Sequence, residues 1–312
     1  MSTTTKFHPE TSIGDLSGRV YFVTGGTAGL GAGSVRYLAA KNPAKIFFSG
    51  RNKAAADELI ADIKAVSPKT ELIFIKCDLS SLKSVQQAAQ QFISQSDRLD
   101  VLMNNAGVMA LAPGLSEDGY EIQFATNHLG HALLIKLLAP IMLRTAEQPN
   151  SDVRIVNLSS VAYANGPPCG IEIDTLKTTQ ASLGGWLAPS KWLRYGQSKL
   201  ANLLYNTELA EEYPSIKSVA IHPGSIKTGL HGGNTMIDWA LLTALNLGNW
   251  TPVEEGSYNQ TWAATTPKEN LVNGAYYEPV GVKVVPKTAL ANDRNLSKKL
   301  FEWTEKELAN WS

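Results

Sequence analysis

The chain has 312 residues, of which 44% are hydrophobic and 18% are charged, a composition typical of a globular protein with a large core. Lysine plus arginine and aspartate plus glutamate are equal at 28 each, so no net charge favours nucleic acid or an acidic membrane surface as a partner. The two cysteines, Cys77 and Cys169, provide neither a disulfide framework nor the spacing of a metal site.

The N-terminal residues 1–16 are polar and lack the apolar region of a secretory signal. The most apolar stretches, residues 132–143 and 237–247, are shorter than the ~20 residues that a membrane span needs. We therefore expect a polar extension over residues 1–16 and a single domain over residues 17–312. The expected location is cytoplasmic, without a membrane span.

Apolar, β-rich runs alternate with helix-like runs along the chain. The predicted strands cover residues 19–24, 45–49, 71–77, 99–104, 153–158, 218–221 and 274–278. The predicted helices follow the first strand up to residue 40 and then cover residues 53–66, 81–94, 116–144, 191–213 and 295–308. Continuously apolar strands separated by helices indicate a parallel sheet covered on both faces. We predict one doubly wound α/β domain of the Rossmann type, with about seven strands.

A glycine-rich turn lies between the first predicted strand and the helix after it. Its glycines are Gly25, Gly29 and Gly31, with Thr27 and Leu30 between them. Glycines at such a turn let backbone N–H groups approach a pyrophosphate, whose charge the helix N-terminus stabilises. The spacing differs from the general Gly-x-Gly-x-x-Gly fingerprint. It is therefore the position between strand and helix that predicts dinucleotide binding, in which all five residues take part.

The end of the second strand predicts which dinucleotide binds. An acidic residue about 20 positions after the turn would bind the ribose 2′-hydroxyl of NAD, whereas an arginine accommodates the 2′-phosphate of NADP. Arg51 lies 20 positions after Gly31, and Lys53 adds a second positive charge. We predict NADP(H) in preference to NAD(H); the alternative is that Arg51 is a solvated loop charge.

Tyr195 and Lys199 are four residues apart on a predicted helix and so share one of its faces. The same spacing occurs twice more in the chain, but only this pair follows a strand that ends in adjacent serines, Ser159 and Ser160. An ammonium beside a phenol lowers the tyrosine pKa from about 10 toward neutrality. We expect Tyr195 to exchange a proton at physiological pH, as carbonyl and alcohol chemistry requires.

These features together resemble the short-chain dehydrogenase/reductase family over nearly the whole chain. Besides the glycine turn, the matching motifs are Asp78 with Leu79, Asn104-Asn105-Ala106-Gly107, and His222-Pro223-Gly224 followed by Thr228. The resemblance implies that Asp78, Leu79, Asn105, Ala106, Gly107, Pro223, Gly224 and Thr228 all bind the cofactor. Asp78 would meet the adenine, and Thr228 the nicotinamide carboxamide.

The resemblance also implies a catalytic set. Tyr195 would be the general acid/base, and Lys199 would lower its pKa and bind the nicotinamide ribose. Asn127 would hold a water in the proton relay. Ser160 would hydrogen-bond the substrate oxygen, with Ser159 as the alternative for that role.

One branch of the family matches further features of the chain. Between Ser160 and Tyr195 there are 34 residues, more than in the simplest members. This insertion, together with residues 123–131 and 198–202, resembles the retinol dehydrogenase and WW-domain oxidoreductase branch. The polar start of the chain does not match the membrane anchor of many retinol dehydrogenases, so retinoid specificity is not implied.

The substrate loop is predicted over residues 225–250, beyond the sixth strand at the carboxyl edge of the sheet. Its apolar and aromatic side chains favour a bulky, apolar carbonyl or alcohol substrate, with Trp186 and Trp192 approaching the same pocket. The alternative is that these residues pack the loop onto the domain.

Other interpretations of the chain stay open. It could be an NADP(H)-binding sensor or scaffold without turnover, or an epimerase or dehydratase on the same fold. Retention of the catalytic set argues against the first, and the short portion after the sixth strand argues against the second. His128 and His131 are three residues apart, but no carboxylate or cysteine pattern supports a metal site. The resemblance further implies a homodimer through the helices at residues 116–144 and 191–213.

Overall fold

The computed structural model describes residues 6–185, 189–224, 226 and 251–311. Within these residues lies one sheet of eight strands. The strands are β1 (Val20–Val23), β2 (Lys45–Gly50), β3 (Glu71–Lys76), β4 (Val101–Asn104), β5 (Arg154–Leu158), β6 (Lys217–Ile221), β7 (Tyr276–Glu278) and β8 (Val282–Val284). Their order is β3-β2-β1-β4-β5-β6-β7-β8, and all neighbours are parallel except β7 and β8. The chain reverses its winding direction between β1 and β4, which confirms the doubly wound α/β fold, with one strand more than predicted.

Helices cover both faces of this sheet. They are α1 (Pro9–Ser12), α2 (Gly29–Ala39), α3 (Lys53–Val66), α4 (Leu82–Ile93), α5 (Ile122–Phe124), α6 (Gly130–Ala146), α7 (Ser190–Glu212), α8 (Val253–Gly256), α9 (Tyr258–Thr265) and α10 (Arg294–Glu307). Alternate residues of a strand point to opposite faces, so Val20 and Phe22 join one buried core and Tyr21 and Val23 join the other. The core containing Val20 lies beneath α4, α6, α7 and α10, and the other core lies beneath α2, α3 and α9.

The helix predicted over residues 116–144 begins later than expected. Residues 116–121 form a turn that the Ser116 N–H closes by donating to the Tyr120 carbonyl at 2.8 Å. The helix then starts at α5, where a carboxylate oxygen of Glu121 accepts from the Phe124 N–H at 2.7 Å. A π-helical turn, Ala125–Leu129, joins α5 to α6. Single π-turns inside α-helices are frequent at functional sites, and this one contains Asn127.

The predicted polar extension contributes to the core. Phe7, Ile13 and Leu16 are buried and belong to the same hydrophobic core as α2. Phe7 meets the ring of Tyr258 edge-on, with 6.1 Å between centroids. The start of the chain is polar in composition, but these three apolar side chains pack into the core of the domain.

One helix among the described residues, Ile122–Ala146, is long and apolar enough to cross a membrane by length and composition. Of its most apolar window, 67% is buried inside the protein. The side chains that raise its hydropathy, such as Leu133, Leu134 and Leu138, lie in the core beneath α4 and α7. The core helix of a globular protein has this same pattern.

Candidate active site

The predicted site residues converge at the carboxyl ends of β1, β4, β5 and β6, around the point where the strand order reverses. In open α/β sheets this crevice is where ligands bind. The glycine turn follows β1, the Asn-Asn-Ala-Gly segment follows β4, and the two serines follow β5. Helix α7 brings Tyr195 and Lys199 to the same end of the sheet.

The glycine turn has the shape that a pyrophosphate requires. Gly25 and Gly29 have φ values of +65° and +53°, a region that favours glycine. A Cβ on Gly31 would lie 2.2 Å from the Gly25 carbonyl oxygen, so any other residue would push the helix away from the turn. Helix α2 starts after Ala28 without a side-chain cap among the described residues. Its first N–H groups are therefore available to an anion, and the turn fits a dinucleotide.

Thr24 joins the glycine turn to the segment after β4. Its Oγ1 accepts hydrogen bonds from the N–H groups of Asn105 and Ala106, both at 3.0 Å. In return, the side-chain amide of Asn105 donates to the Thr24 carbonyl at 2.8 Å. Gln260 of α9 donates to Asn105 Oδ1 at 2.8 Å, a contact that the sequence did not indicate. The two predicted cofactor segments are thus joined by several hydrogen bonds.

Thr27 and Arg51 lie together at the end of β2. A Cβ on Gly50 would be 2.8 Å from Thr27 Oγ1, so the turn packs directly on this strand end. The Arg51 side chain is exposed and makes no hydrogen bond or ion pair with the residues that the structure describes. Lys53 instead pairs with Asp57 at 2.6 Å along α3. Of the two predicted positive charges, the structure therefore leaves Arg51 available for a phosphate.

Asp78 and Leu79 form the next wall of the crevice. The Asp78 carboxylate accepts from the N–H and the hydroxyl of Ser80, at 3.0 and 2.7 Å. Leu79 is buried, and a Cβ on Gly130 would lie 2.4 Å from its carbonyl oxygen. Glycine at the start of α6 thus allows the helix to reach this loop.

Tyr195 lies in a mostly apolar pocket, with 9% of its surface exposed. The residues that pack around it are Met109, Ala110, Ala162 and Trp192. The Lys199 Nζ atom is 5.8 Å from the centre of the Tyr195 ring. Tyrosine and lysine share one face of α7, as the spacing predicted.

The predicted lowering of the tyrosine pKa is not what this structure shows. Burial raises the pKa of Tyr195 to about 12, although a hydrogen bond with Ser160 acts in the opposite direction. Burial also lowers the pKa of Lys199 to about 8. Desolvation penalises the charged forms of both groups, and the ammonium is directed to a backbone carbonyl instead of the phenol oxygen. In the protein alone, Tyr195 is a protonated acid at neutral pH.

The two adjacent serines have different partners. Ser159 is buried, and its hydroxyl donates to the backbone carbonyl of Lys199 at 2.7 Å. Ser160 is only half-buried, contacts Tyr195, and accepts a hydrogen bond from the Ala162 N–H at 3.2 Å. The geometry therefore holds Ser159 against the helix and leaves Ser160 facing the pocket.

Asn127 is tied to the segment that follows β4. Its amide donates to the Val108 carbonyl and to Ser198 Oγ, both at 2.9 Å, and its Oδ1 accepts from the Val108 N–H at 2.8 Å. A Cβ on Gly107 would lie 3.2 Å from Asn127 Oδ1 and 3.5 Å from Lys199 Nζ. Gly107 therefore allows both functional side chains to approach one backbone position.

A buried ion pair beside Tyr195 was missed by the sequence reasoning. Arg194 Nη1 donates to Glu121 at 2.6 Å, and both side chains are fully buried. Arg194 Nη2 also donates to the Leu111 carbonyl at 2.7 Å. These bonds connect α7, the start of α5 and the segment after β4. The two partners are 73 residues apart, so no local pattern could have indicated them.

Part of the predicted pocket lies outside the described residues, namely Trp186, Ser225, Thr228 and the loop over residues 227–250. Ile226 and Thr251, which flank that loop, form a β-bridge. Before it, Pro223 and Gly224 are half-buried, and Gly224 has a φ of +105°.

Comparison with known proteins decides the family. The model of short chain dehydrogenases matches residues 19–172. An uncharacterized oxidoreductase of Schizosaccharomyces pombe is 36% identical over 302 residues, which cover 94% of this chain and 86% of that protein. This chain belongs to the short-chain dehydrogenase family. The short-chain dehydrogenase/reductase drtF of Aspergillus calidoustus is 31% identical over 309 residues, covering 95% of this chain and 96% of the relative.

Solved structures of two relatives contain the predicted cofactor. A blue fluorescent protein from a metagenomic library, in complex with NADPH, has a TM-score of 0.63 and 28% identity to this dehydrogenase, covering 86% of its chain and 98% of the relative. The RhlG/NADP active-site complex of Pseudomonas aeruginosa has a TM-score of 0.64 and 25% identity, covering 88% and 98%. These likenesses support a nicotinamide cofactor for this dehydrogenase.

Proposed function

We propose that this dehydrogenase transfers hydride between NADP(H) and a bulky, apolar carbonyl or alcohol, with Tyr195 as the general acid/base. The observation that carries the proposal is the convergence of Tyr195, Ser160, Lys199 and Asn127 beside the glycine turn. These four residues supply a phenol, a hydroxyl, an ammonium and an amide, a set that suits proton transfer to a substrate oxygen. A module that only binds a dinucleotide does not require them.

Three features support NADP(H) as the cofactor. The glycine turn and the uncapped start of α2 fit a pyrophosphate. Arg51 presents an exposed guanidinium at the end of β2, where a 2′-phosphate is read in this fold. Relatives with 25% and 28% identity hold NADP and NADPH. We assign the adenine side to Asp78 and Leu79, and the nicotinamide side to Gly107, Lys199, Pro223, Gly224 and Thr228.

When bound, the cofactor supplies or accepts the hydride, while the protein's own residues handle the proton and the charge on the substrate oxygen. Ser160 Oγ accepts from the Ala162 N–H, and its hydroxyl hydrogen bonds to Tyr195 in the protein alone, so it turns to the substrate oxygen when substrate binds beside both groups. Tyr195 is protonated at neutral pH and donates its proton during carbonyl reduction. Positioned donors in a pocket that excludes water stabilise the developing negative charge.

Lys199 returns a proton to Tyr195, and Asn127 holds the water that resupplies Lys199 from solvent. Burial brings the pKa of Lys199 to about 8, so its ammonium is charged at pH 7 and can still release a proton. Asn127 lies across Gly107 from the Lys199 ammonium, a position that suits a residue holding a relay water. Alcohol oxidation uses the same groups in reverse.

The surroundings of Tyr195 support an apolar substrate. Met109, Ala110, Ala162 and Trp192 give the pocket apolar walls, and the half-buried Trp192 adds a large aromatic surface. The resemblance of residues 123–131 and 198–202 to the retinol dehydrogenase branch also favours an apolar substrate, without implying a retinoid. The cytoplasmic location remains a prediction.

The test follows the absorbance of NADPH and NADH during incubation with bulky apolar ketones and aldehydes. Wild type is compared with Tyr195→Phe and with Tyr37→Phe, a matched tyrosine outside the site. We expect turnover with a preference for NADPH, loss of at least about 10³-fold in kcat for Tyr195→Phe, and little change for Tyr37→Phe. Equal activity of Tyr195→Phe and wild type would refute the assignment.

Two other outcomes correspond to the alternatives. Tight binding of NADPH without turnover of any substrate would favour a sensor or scaffold. Conversion of a substrate with no net change in nicotinamide absorbance would favour an epimerase or dehydratase. Product analysis by chromatography separates the two.

A further inference from the structure

His131 is a buried histidine that the proposed mechanism does not use. It lies on α6, four residues after Asn127, and only 4% of its surface is exposed. Its Nδ1 is 3.0 Å from the backbone carbonyl oxygen of Asn127, and its Nε2 is 2.9 Å from Thr24 Oγ1. One imidazole thus connects the glycine turn to the residue assigned to the proton relay.

The partners of His131 determine where its proton lies. A backbone carbonyl only accepts hydrogen bonds, so Nδ1 carries the proton and donates to Asn127. Burial lowers the pKa of His131 to about 4, so the ring is neutral and Nε2 is an acceptor. The Thr24 hydroxyl therefore donates to Nε2 at 2.9 Å, a shorter contact than its 3.4 Å distance to the Met103 carbonyl oxygen.

Thr24 is saturated by this arrangement. Its oxygen accepts the N–H groups of Asn105 and Ala106 while its hydrogen goes to His131. A continuous chain of hydrogen bonds then runs from the segment after β4, through Thr24 and His131, to the Asn127 carbonyl. In the π-turn around Asn127 the regular α-helical bonding is interrupted, and the imidazole supplies a donor from outside the backbone.

We propose that His131 is a positioning residue, which holds the Asn127 carbonyl in a fixed place relative to the dinucleotide turn. The inference rests on the proposed function, because the carbonyl matters only where Asn127 holds a relay water. His131 itself transfers no proton. Its two hydrogen bonds keep the glycine turn and the π-turn around Asn127 in a fixed position relative to each other.

The first test needs neither cofactor nor turnover. Nuclear magnetic resonance of the ¹⁵N-labelled imidazoles in the cofactor-free protein reports the tautomer and the titration of each histidine. We expect His131 to carry its proton on Nδ1 and not to titrate between pH 5 and 8, roughly the range in which an ordinary histidine changes charge. The charged or titratable groups that act on its ring are Lys199 and His128. A proton on Nε2, or titration in that range, would overturn the proposal.

The second test compares His131→Asn with His131→Phe. Asparagine can place an amide donor near the position of Nδ1 and so keep the bond to Asn127, whereas phenylalanine keeps the ring shape and loses both bonds. We expect His131→Phe to bind NADP⁺ within about threefold of wild type but to lose about 10- to 100-fold in kcat, and His131→Asn to retain most of the rate. The solvent deuterium isotope effect on kcat should rise in His131→Phe, because proton return becomes rate-limiting.

His128→Phe is the matched control. His128 lies in the π-helical turn just before α6 and contacts Thr304 of α10 at 3.0 Å instead of the glycine turn. We expect this variant to lose stability without a change in the solvent isotope effect. If His131→Phe likewise loses stability without a change in the solvent isotope effect, the proposal is wrong and His131 has only a structural role. The same conclusion follows if His131→Phe keeps the wild-type kcat. If the wild-type protein has the expected His131 tautomer but no activity, the proposed function is refuted instead.

Discussion

The ammonium of Lys199 donates a hydrogen bond to the backbone carbonyl of Leu158 at 3.0 Å, at the last residue of β5. The side-chain amide of Asn202 donates to the same oxygen, also at 3.0 Å. Lysine is therefore anchored to the strand that leads into Ser160, and its position does not depend on the charge of Tyr195. The end of β5 and one face of α7 therefore position the acid Tyr195, its hydrogen-bond partner Ser160 and the Lys199 ammonium.

Burial of Lys199 predicts how stability depends on pH. Its pKa falls from 10.5 to about 8 in the folded protein, so between these values the unfolded chain binds more protons. The contribution of this residue to the free energy of unfolding therefore increases as pH rises through that range. Relative to Lys199→Met, wild type should gain about 2 kcal/mol of stability between pH 7 and pH 10 in urea unfolding.

The matched control for that measurement is Lys53→Met, which removes an exposed lysine paired with Asp57. Its unfolding free energy should stay parallel to that of wild type over the same pH range. Measurements should end at pH 10, because the raised pKa of Tyr195 acts with the opposite sign above it. Parallel curves for Lys199→Met and wild type would show that Lys199 titrates normally.

The two serines should differ when each is replaced by alanine. Ser160→Ala removes the hydroxyl that faces the pocket, so we expect kcat to fall about 10²-fold with little loss of stability. Ser159→Ala leaves the Lys199 carbonyl without its buried donor, so we expect a loss of about 1–3 kcal/mol in unfolding free energy. Steady-state kinetics and urea unfolding on both variants decide the matter. A larger kcat loss for Ser159→Ala would reverse the assignment.

The role of Arg51 predicts a selective loss of affinity. Arg51→Ala should weaken NADPH binding at least about tenfold, or about 1.4 kcal/mol, and leave NADH binding unchanged. Lys53→Ala is the neighbouring control, since the Lys53 ammonium is engaged by Asp57 and should matter little. Fluorescence titration with NADPH and NADH measures the two affinities of each protein. Equal weakening for NADPH and NADH would show that Arg51 does not read the 2′-phosphate.

Helix α10 changes the expectation for a homodimer through α6 and α7. Phe301 stacks on Tyr205 of α7, with 5.3 Å between ring centres, and Ser297 donates to the Leu204 carbonyl at 2.9 Å. Trp303 meets Phe124 edge-on. Because α10 covers this face, a second copy cannot pack there unless α10 moves, and we expect a monomer mass in sedimentation.

Ending the chain before Arg294 is the matching experiment. The shortened protein exposes the apolar side chains beneath α10 and should self-associate or lose stability. A dimer of the full chain that dissociates on substitution of exposed residues elsewhere would indicate a different interface. A dimer disrupted by changes on the inner face of α7 would show that α10 is displaced.

Local patterns were sufficient for the architecture and the cofactor turn. Continuously apolar strands, helix periodicity and the run Gly25 to Gly31 depend on neighbouring residues, so the doubly wound class, most elements and the motif positions could be predicted from them, although β8 and α9 were missed. Element ends moved by only a few residues, except where the turn at residues 116–121 delayed the helix.

The tertiary structure alone decided the electrostatics and the connections within the site. Burial reversed the predicted pKa direction of Tyr195, because desolvation depends on residues such as Met109 that come from a distant segment. The bonds of His131 to Thr24 and of Arg194 to Glu121 join positions 107 and 73 residues apart. Such contacts leave no periodic signal in the chain, and they form only when the sheet brings its strand ends together.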